Sequence, residues 1–131
     1  MNWGGTANLT NGTGSGNDGE SGGGIENHAG ALNLTNVTVS GNSADFGGGI
    51  VTFGGTLNLN HVTVSGNSAI FGGGGIYSGG TLNLTNSTVS GNSGGADGGG
   101  ILNWWGTANL PNATVSENAG RSGGGIANHA A

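Results

Sequence analysis

The chain has 131 residues, of which 34 are glycine, one is basic and six are acidic. Its net charge of −5, with Arg121 as the only basic residue, leaves no electrostatic footprint for nucleic acid or anionic lipid, and both partners are excluded. The absence of cysteine excludes disulfides, thiolate metal sites and cysteine nucleophiles, and no apolar run is long enough for membrane insertion.

A repeat of about 25 residues organises the whole chain. Glycine-rich composition indicates disorder only where no period exists, and here isoleucine follows a glycine run at Ile25, Ile50, Ile76, Ile101 and Ile126. We predict a single domain, 1–131. Its five turns cover about 1–25, 26–50, 51–76, 77–101 and 102–126, with a C-terminal overhang, 127–131.

Within each unit the polarity alternates with period two, which favours strands over helix. In the second unit this predicts three short strands, around 32–35, 37–40 and 48–51, separated by asparagine and glycine corners. One unit has too few apolar residues for its own core, so the copies must stack. The sequence therefore predicts an all-β parallel solenoid of five turns with three strands per turn.

Stacking places equivalent residues about 4.8 Å apart, one above another. The predicted inward columns are Leu32, Leu57 and Leu82; Leu9, Leu34, Leu59, Leu84 and Leu110; Val39, Val64, Val89 and Val115; and the five isoleucines that follow glycine. A structural asparagine column is predicted at a corner: Asn17, Asn42, Asn67, Asn92 and Asn118. Asparagine there can bond to the copies above and below and tolerates a left-handed backbone.

The pairing of GGGI with VSGN, as at 47–50 and 39–42, resembles the GGxI and FxxN signature of polymorphic outer membrane proteins and related secreted β-helix adhesins. Valine stands where that family has phenylalanine. The resemblance implies a right-handed parallel β-helix, an extracellular or cell-surface location, and an adhesin, passenger or structural role. No export signal is present in this sequence.

The two ends resemble each other more than either resembles the middle, with 20 identities in 29 positions between 2–30 and 103–131. All three tryptophans, Trp3, Trp104 and Trp105, lie in these segments, and Glu20 and Arg121 share one column. Neither end shows a cap, so we predict a head-to-tail homopolymer, a filament. Its junction would contain these five residues and His129. A window of a longer tandem-repeat protein would also explain the similarity.

Seven N-x-T sequons occur, at Asn8, Asn11, Asn33, Asn36, Asn83, Asn86 and Asn112. Two per turn on outward or corner positions would be accessible acceptors, so we predict N-linked glycans at some of them. The repeat multiplies one local coincidence, which is the competing explanation.

No constellation for catalysis stands out. Asp18, Glu20, Asp45 and Asp97 are scattered over different turns, so we predict that the chain is not an enzyme. The glycine–aspartate segments 16–24 and 94–100 superficially resemble calcium loops but lack a nine-residue repeat, which makes Ca²⁺ a weak candidate and leaves no expected cofactor. His61 replaces an asparagine in the column of Asn11 and Asn36, where a corner hydrogen bond is favoured over a metal ligand.

Two outward hydroxyl rows follow the second predicted strand: Thr13, Thr38, Thr63, Thr88 and Thr114; and Ser15, Ser40, Ser65, Ser90 and Ser116. A solvent-facing strand explains them, and ice binding is the alternative. The favoured function is a non-enzymatic extracellular fibre. The alternatives are a fragment of a larger surface adhesin or autotransporter passenger, then an ice-binding or carbohydrate-active β-helix.

Overall fold

A computed structural model describes residues 1–129 of the chain. All elements in this range are β-strands, and they form a parallel β-solenoid of five coils with about 25 residues per coil. The predicted all-β solenoid is confirmed. Ala130 and Ala131, the end of the predicted overhang 127–131, lie outside the described residues. Between residues 1 and 129 there is no helix that could cross a membrane.

Each coil contains four strands, numbered in chain order. The first coil holds β1 (Thr6–Thr10), β2 (Thr13–Ser15), β3 (Asp18–Ser21) and β4 (Ile25–Asn27). The second holds β5 (Ala31–Thr35), β6 (Thr38–Ser40), β7 (Ser43–Phe46) and β8 (Ile50–Thr52). The third holds β9 (Thr56–Asn60), β10 (Thr63–Ser65), β11 (Ser68–Gly72) and β12 (Ile76–Ser78). The fourth holds β13 (Thr81–Thr85), β14 (Thr88–Ser90), β15 (Ser93–Asp97) and β16 (Ile101–Trp104), and the fifth β17 (Thr107–Asn109), β18 (Thr114–Ser116), β19 (Ala119–Ser122) and β20 (Ile126–His129).

Equivalent strands of successive coils pair in parallel and build four five-stranded sheets. Sheet 1 runs β1-β5-β9-β13-β17, sheet 2 β2-β6-β10-β14-β18, sheet 3 β3-β7-β11-β15-β19 and sheet 4 β4-β8-β12-β16-β20. Asn2 extends sheet 4 beyond β4, because it forms an isolated parallel bridge to Asn27. The register keeps identical residue types opposite one another, for example Val64 beside Val39 and Val89.

The structure has four strands per coil where the sequence predicts three. The additional strand is β7 with its equivalents, and its inward residues are the small Ala44, Ala69 and Gly94. Because these residues carry little apolar surface, the period-two alternation is faint there. The last strand of the coil also begins later than predicted, at Ile50 rather than at residue 48.

The predicted leucine, valine and isoleucine columns form the core of the three central coils. Leu34, Leu59 and Leu84 are almost fully buried, as are Ile50 and Ile76. A buried leucine or isoleucine contributes about 1.5–3 kcal/mol relative to an exposed one. The core also contains a column that the prediction omits, Val37, Val62 and Ser87.

Glycine runs let the chain bend sharply between sheets 3 and 4. Gly47 has a φ of 58°, which disfavours residues with a side chain. A Cβ atom on the next residue, Gly48, would overlap the backbone oxygens of Ser68 and Gly74 in the following coil. The run therefore allows backbone to approach backbone, which fixes the inter-coil contact at this corner.

Candidate assembly edges and aromatic face

Both edges of the solenoid leave inward-facing side chains uncovered. Leu9 of the first coil is 40% exposed, whereas Leu34, directly beside it in the second coil, is 1% exposed. At the other edge Ile126 is 40% exposed and its neighbour Ile101 is 0% exposed. The interior columns thus run up to both edges of residues 1–129, where the last side chain of each column is partly exposed.

The asparagine column forms a directional hydrogen-bonded ladder inside the corner between sheets 2 and 3. Asn42 donates from its backbone N–H and its Nδ2 to Oδ1 of Asn67, at 2.9 and 3.0 Å. Asn67 repeats both bonds to Asn92, and its Nδ2 also donates to the Val39 carbonyl at 3.0 Å. The central members are about 1% exposed. Their backbones are not left-handed; the preceding glycines are, for example Gly41 and Gly66.

The ends of this ladder are complementary. Asn17 at the first edge has an Oδ1 to which no group in residues 1–129 donates, and Asn118 at the last edge has a backbone N–H without an acceptor in that range. A second, outward ladder on sheet 1 runs in the opposite sense: Nδ2 of Asn33 donates to Oδ1 of Asn8 at 2.8 Å, and Asn109 donates to Asn83 at 2.8 Å. In both ladders, the donor at one edge matches the acceptor at the other.

The structure does not bring all the predicted junction residues together within one molecule. Glu20 on β3 and Arg121 on β19 lie at opposite edges of sheet 3, four coil steps or about 19 Å apart. Within residues 1–129 Arg121 makes no ion pair. Glu20 is level with Asp45 of the next coil, so two carboxylates face each other at that edge. Only a contact between the two edges could place Arg121 beside Glu20.

Trp3 and Trp104 belong to an aromatic column along sheet 4 that the repeat pattern of the sequence does not reveal. Trp3 stacks on His28 with ring centroids 3.8 Å apart, and His28 lies 5.1 Å from Phe53. At the far end Trp104 lies 4.6 Å from His129, and Trp105 projects beside it with a centroid distance of 6.1 Å. The register places Trp3, His28, Phe53, Gly79, Trp104 and His129 in one line.

The column occupies the third position after each of the five isoleucines, and this spacing is the sequence signal that could reveal it. The residues of the column differ in type, so a comparison of identical residues between repeats does not expose them. Trp104 therefore lies inside the column rather than on the open edge. His129 and Trp3 are the members at the two edges.

The seven sequons fall into two structural groups. Asn11, Asn36, Asn86 and Asn112 are exposed corner residues with φ near 50°. Asn8, Asn33 and Asn83 belong to the outward ladder on sheet 1, where their side-chain amides are engaged with one another or with neighbours in adjacent coils. His61 occupies the corner column, with a φ of 54°, and its Nδ1 lies 2.9 Å from Oδ1 of Asn60.

Glycan attachment is expected at the corner sequons and not at the ladder sequons. A glycan on the Nδ2 of Asn33 would break its bond to Asn8 and would project between side chains only about 4.8 Å away. Secreted material from a host that glycosylates asparagine should carry a glycan on Asn86, and less on Asn36, because Nδ2 of Asn36 donates to Oδ1 of Asn11 at 3.2 Å. Peptide mapping after enzymatic deglycosylation would measure occupancy. Glycans on Asn33 or Asn83, with the corner sequons empty, would contradict this expectation.

Acidic residues and histidines are dispersed. In the described part of the chain two histidine–carboxylate contacts occur, His28 with Glu26 and His129 with Asp97, the latter at 3.4 Å. No three histidine, aspartate or glutamate side chains of residues 1–129 are grouped closely enough to hold a metal ion. Asp18 of the first glycine–aspartate segment instead accepts a hydrogen bond from Ser43 at 2.8 Å.

The hydroxyl rows lie on sheet 2 in register over all five coils. Thr38, Thr63 and Thr88 are neighbours, and so are Ser40, Ser65 and Ser90. All of these residues are exposed or partly exposed. Both a solvated face and an ice-binding face would have this geometry.

Comparison of the chain with protein-family models, with curated proteins and with solved structures finds no match. The fold and the surfaces of the molecule are therefore the basis for any function.

Proposed function

We propose that the protein is a non-enzymatic, extracellular structural protein whose solenoid stacks end to end into a fibre. The observation that carries the proposal is the exposure of the core at both edges, represented by Leu9 and Ile126. A coil edge with uncovered inward side chains offers unpaired backbone and apolar surface to another coil of the same kind. A second copy supplies such a coil.

Stacking in register would extend every column across the joint. The Asn118 backbone N–H and the Asn17 Oδ1 of the next copy would become donor and acceptor. In the outward ladder, Nδ2 of Asn8 would donate to Oδ1 of Asn109 in the preceding copy. Stacked asparagine ladders of this kind stabilise repeated β-structure. Right-handed winding, which parallel strand crossovers almost always have, is part of this proposal.

Two segments, 1–5 of one copy and 127–131 of the other, overlap at the joint, and one of them must move away. Asn2 pairs with Asn27 in the same way that Asn103 pairs with Asn128. In a stacked pair, Asn128 and His129 of one copy would therefore need the place beside β4 that Asn2 and Trp3 occupy in the next copy. In a fibre either 1–5 or 127–131 is displaced. If His129 stays, it stacks on His28 of the next copy in place of Trp3, and the aromatic column continues.

The same overlap supports a second candidate, a segment of a larger surface adhesin or autotransporter passenger. There 127–131 would lead directly into the next coil of one continuous chain, and no segment would be displaced. The two candidates differ in solution behaviour. The 131-residue chain forms long particles under the first and stays monomeric under the second.

The charges at the edges allow a direct test of register. Arg121→Glu would place a third carboxylate beside Glu20 and Asp45, and we expect the critical concentration for assembly to rise about two- to tenfold at low salt. The double variant Glu20→Arg/Arg121→Glu restores an opposite pair and should restore assembly. Sedimentation velocity over a concentration series measures both.

The difference between these variants should shrink at high salt, because exposed charges are then screened. Equal critical concentrations for the single and double variants at low salt would show that Arg121 does not meet Glu20, and would refute this register.

A further inference from the structure

A cleft opens beside the aromatic column on the second to fourth coils. Its volume is about 420 Å³, and it is lined by Phe46, Phe71, Tyr77, Asp97 and Trp104 with Leu102 among them. This volume falls in the range of about 300–1,000 Å³ that is typical of small-molecule sites. The lining residues belong to the second to fourth coils, and His129 at the last edge contacts one of them, Asp97.

Two small residues interrupt the neighbouring aromatic columns, and one of them, Ala96, lines the cleft. Gly79 lies in the aromatic column between Phe53 and Trp104, where its neighbours carry rings. Ala96 follows Phe71 in the adjacent column on sheet 3, where Phe46 and Phe71 stack with centroids 5.0 Å apart. The missing rings are one coil apart: Gly79 belongs to the third coil, level with Phe71, and Ala96 to the fourth coil, level with Trp104. The space between the remaining rings stays open to solvent.

The walls combine exposed ring faces with directed polar groups. Phe71 is 50% exposed and Trp104 is 37% exposed. The Asp97 carboxylate lies 3.4 Å from Nε2 of His129, which orients it at the rim. Burial raises the pKa of the Tyr77 phenol above its ordinary value of 10.0, so the phenol stays neutral and can donate a hydrogen bond. Aromatic faces with a carboxylate and a hydroxyl complement a sugar ring, which has an apolar face and a polar edge.

The charge of the cleft and the pairing of its strands narrow the choice of ligand. The lining has a carboxylate and no cation, so an anionic sugar or a phosphate would be repelled. The strands that form it, β11, β12, β15 and β16, are each paired on both sides, so no backbone edge is free for an extended peptide. A neutral ligand that uses ring faces and hydroxyl groups fits these limits best.

We propose that this cleft binds a neutral oligosaccharide, with sugar rings packed on Phe71 and Trp104 and sugar hydroxyls bonded to Asp97 and Tyr77. The site is additional to the fibre and does not depend on it. Along a fibre it would recur once per subunit, which would give a multivalent glycan-binding surface.

The test uses the full chain with neutral hexasaccharides of glucose, mannose, xylose and N-acetylglucosamine as probes. Saturation-transfer NMR and calorimetry measure binding. We expect at least one probe to bind with a millimolar or lower Kd. Phe71→Ala should weaken it about tenfold and Asp97→Asn about fivefold. Ile70→Ala is the matched control, because Ile70 is the adjacent exposed apolar residue but lines a different hollow.

Three results would overturn the proposal. The first is that no probe binds at millimolar concentration. The second is that Phe71→Ala and Ile70→Ala weaken binding equally. The third is that sedimentation shows Phe71→Ala abolishing a lateral dimer in the absence of sugar, which would assign the cleft to a second copy. Phe71 is half exposed, so its variant should fold, and circular dichroism of each variant verifies this.

Discussion

Replacing Asn67 with alanine should lower the free energy of unfolding by about 3–5 kcal/mol. Asn67 accepts two hydrogen bonds from Asn42 and donates to Asn92 and to the Val39 carbonyl, all in a buried corner. Alanine would keep the backbone N–H bond to Asn92 but would remove the side-chain bonds and leave buried donors of Asn42 unsatisfied, at a cost of about 1–3 kcal/mol each. Urea unfolding followed by circular dichroism measures the loss.

Asn17→Ala provides the matched control, since it has the same chemistry at the edge of the same ladder. Asn17 is exposed and no group of residues 1–129 donates to its Oδ1, so we expect a loss of only about 1 kcal/mol. Equal losses for the two variants would mean that the ladder does not stabilise the corner. Comparison below the critical concentration keeps assembly from masking the difference.

Leu9→Asp should raise the critical concentration for assembly by at least about a hundredfold. In the free molecule the side chain is half exposed, so the carboxylate remains hydrated and the fold tolerates it. At a stacked joint it would be enclosed by Leu110 of the preceding copy and Leu34 of its own, with no cation near it. Burial of an unpaired carboxylate costs several kcal/mol.

Thr10→Asp is the control for Leu9→Asp, because Thr10 is the next residue of β1 and is exposed on the opposite face of the sheet. It adds the same charge on the outer, solvated face of the same edge strand and should alter assembly little. The Leu9→Asp variant should also recover assembly below a pH of about 4, where the carboxyl is neutral and cheaper to bury. Light scattering across pH follows this recovery, and equal behaviour of the two variants would contradict stacking through the core.

The repeat explains how much of the fold is visible in the sequence. Leu34, Leu59 and Leu84 recur at one phase, and a period of about 25 residues with alternating polarity requires stacked coils. The strand at β7 was missed because its inward residues are alanine and glycine, which carry little periodic signal. At the corners the left-handed φ belongs to Gly41 and Asn36 rather than to Asn42, although asparagine would tolerate it.

Surface sites were harder to predict than the core. The residues of the aromatic column on sheet 4 recur at a constant spacing but differ in type. The line from Trp3 through His28 to Phe53 therefore becomes visible only when the strand register is known. The cleft includes Ala96, which stands beside Phe71 of the preceding coil and leaves space between the Phe71 and Trp104 rings. No local motif marks such a substitution of a small residue for a ring. The predicted junction of Glu20 with Arg121 stays a prediction, because the two residues belong to different edges.

Electron microscopy of the concentrated chain at low salt tests the central claim, that open coil edges stack on one another. The 131-residue chain and a variant that lacks residues 1–5, and so has no overlap at the joint, would be imaged side by side. The account predicts filaments of one-solenoid width with an axial rise of about 24 Å per subunit, five coils of about 4.8 Å, and longer filaments for the shortened variant. Isolated particles a few nanometres long from both proteins would contradict it.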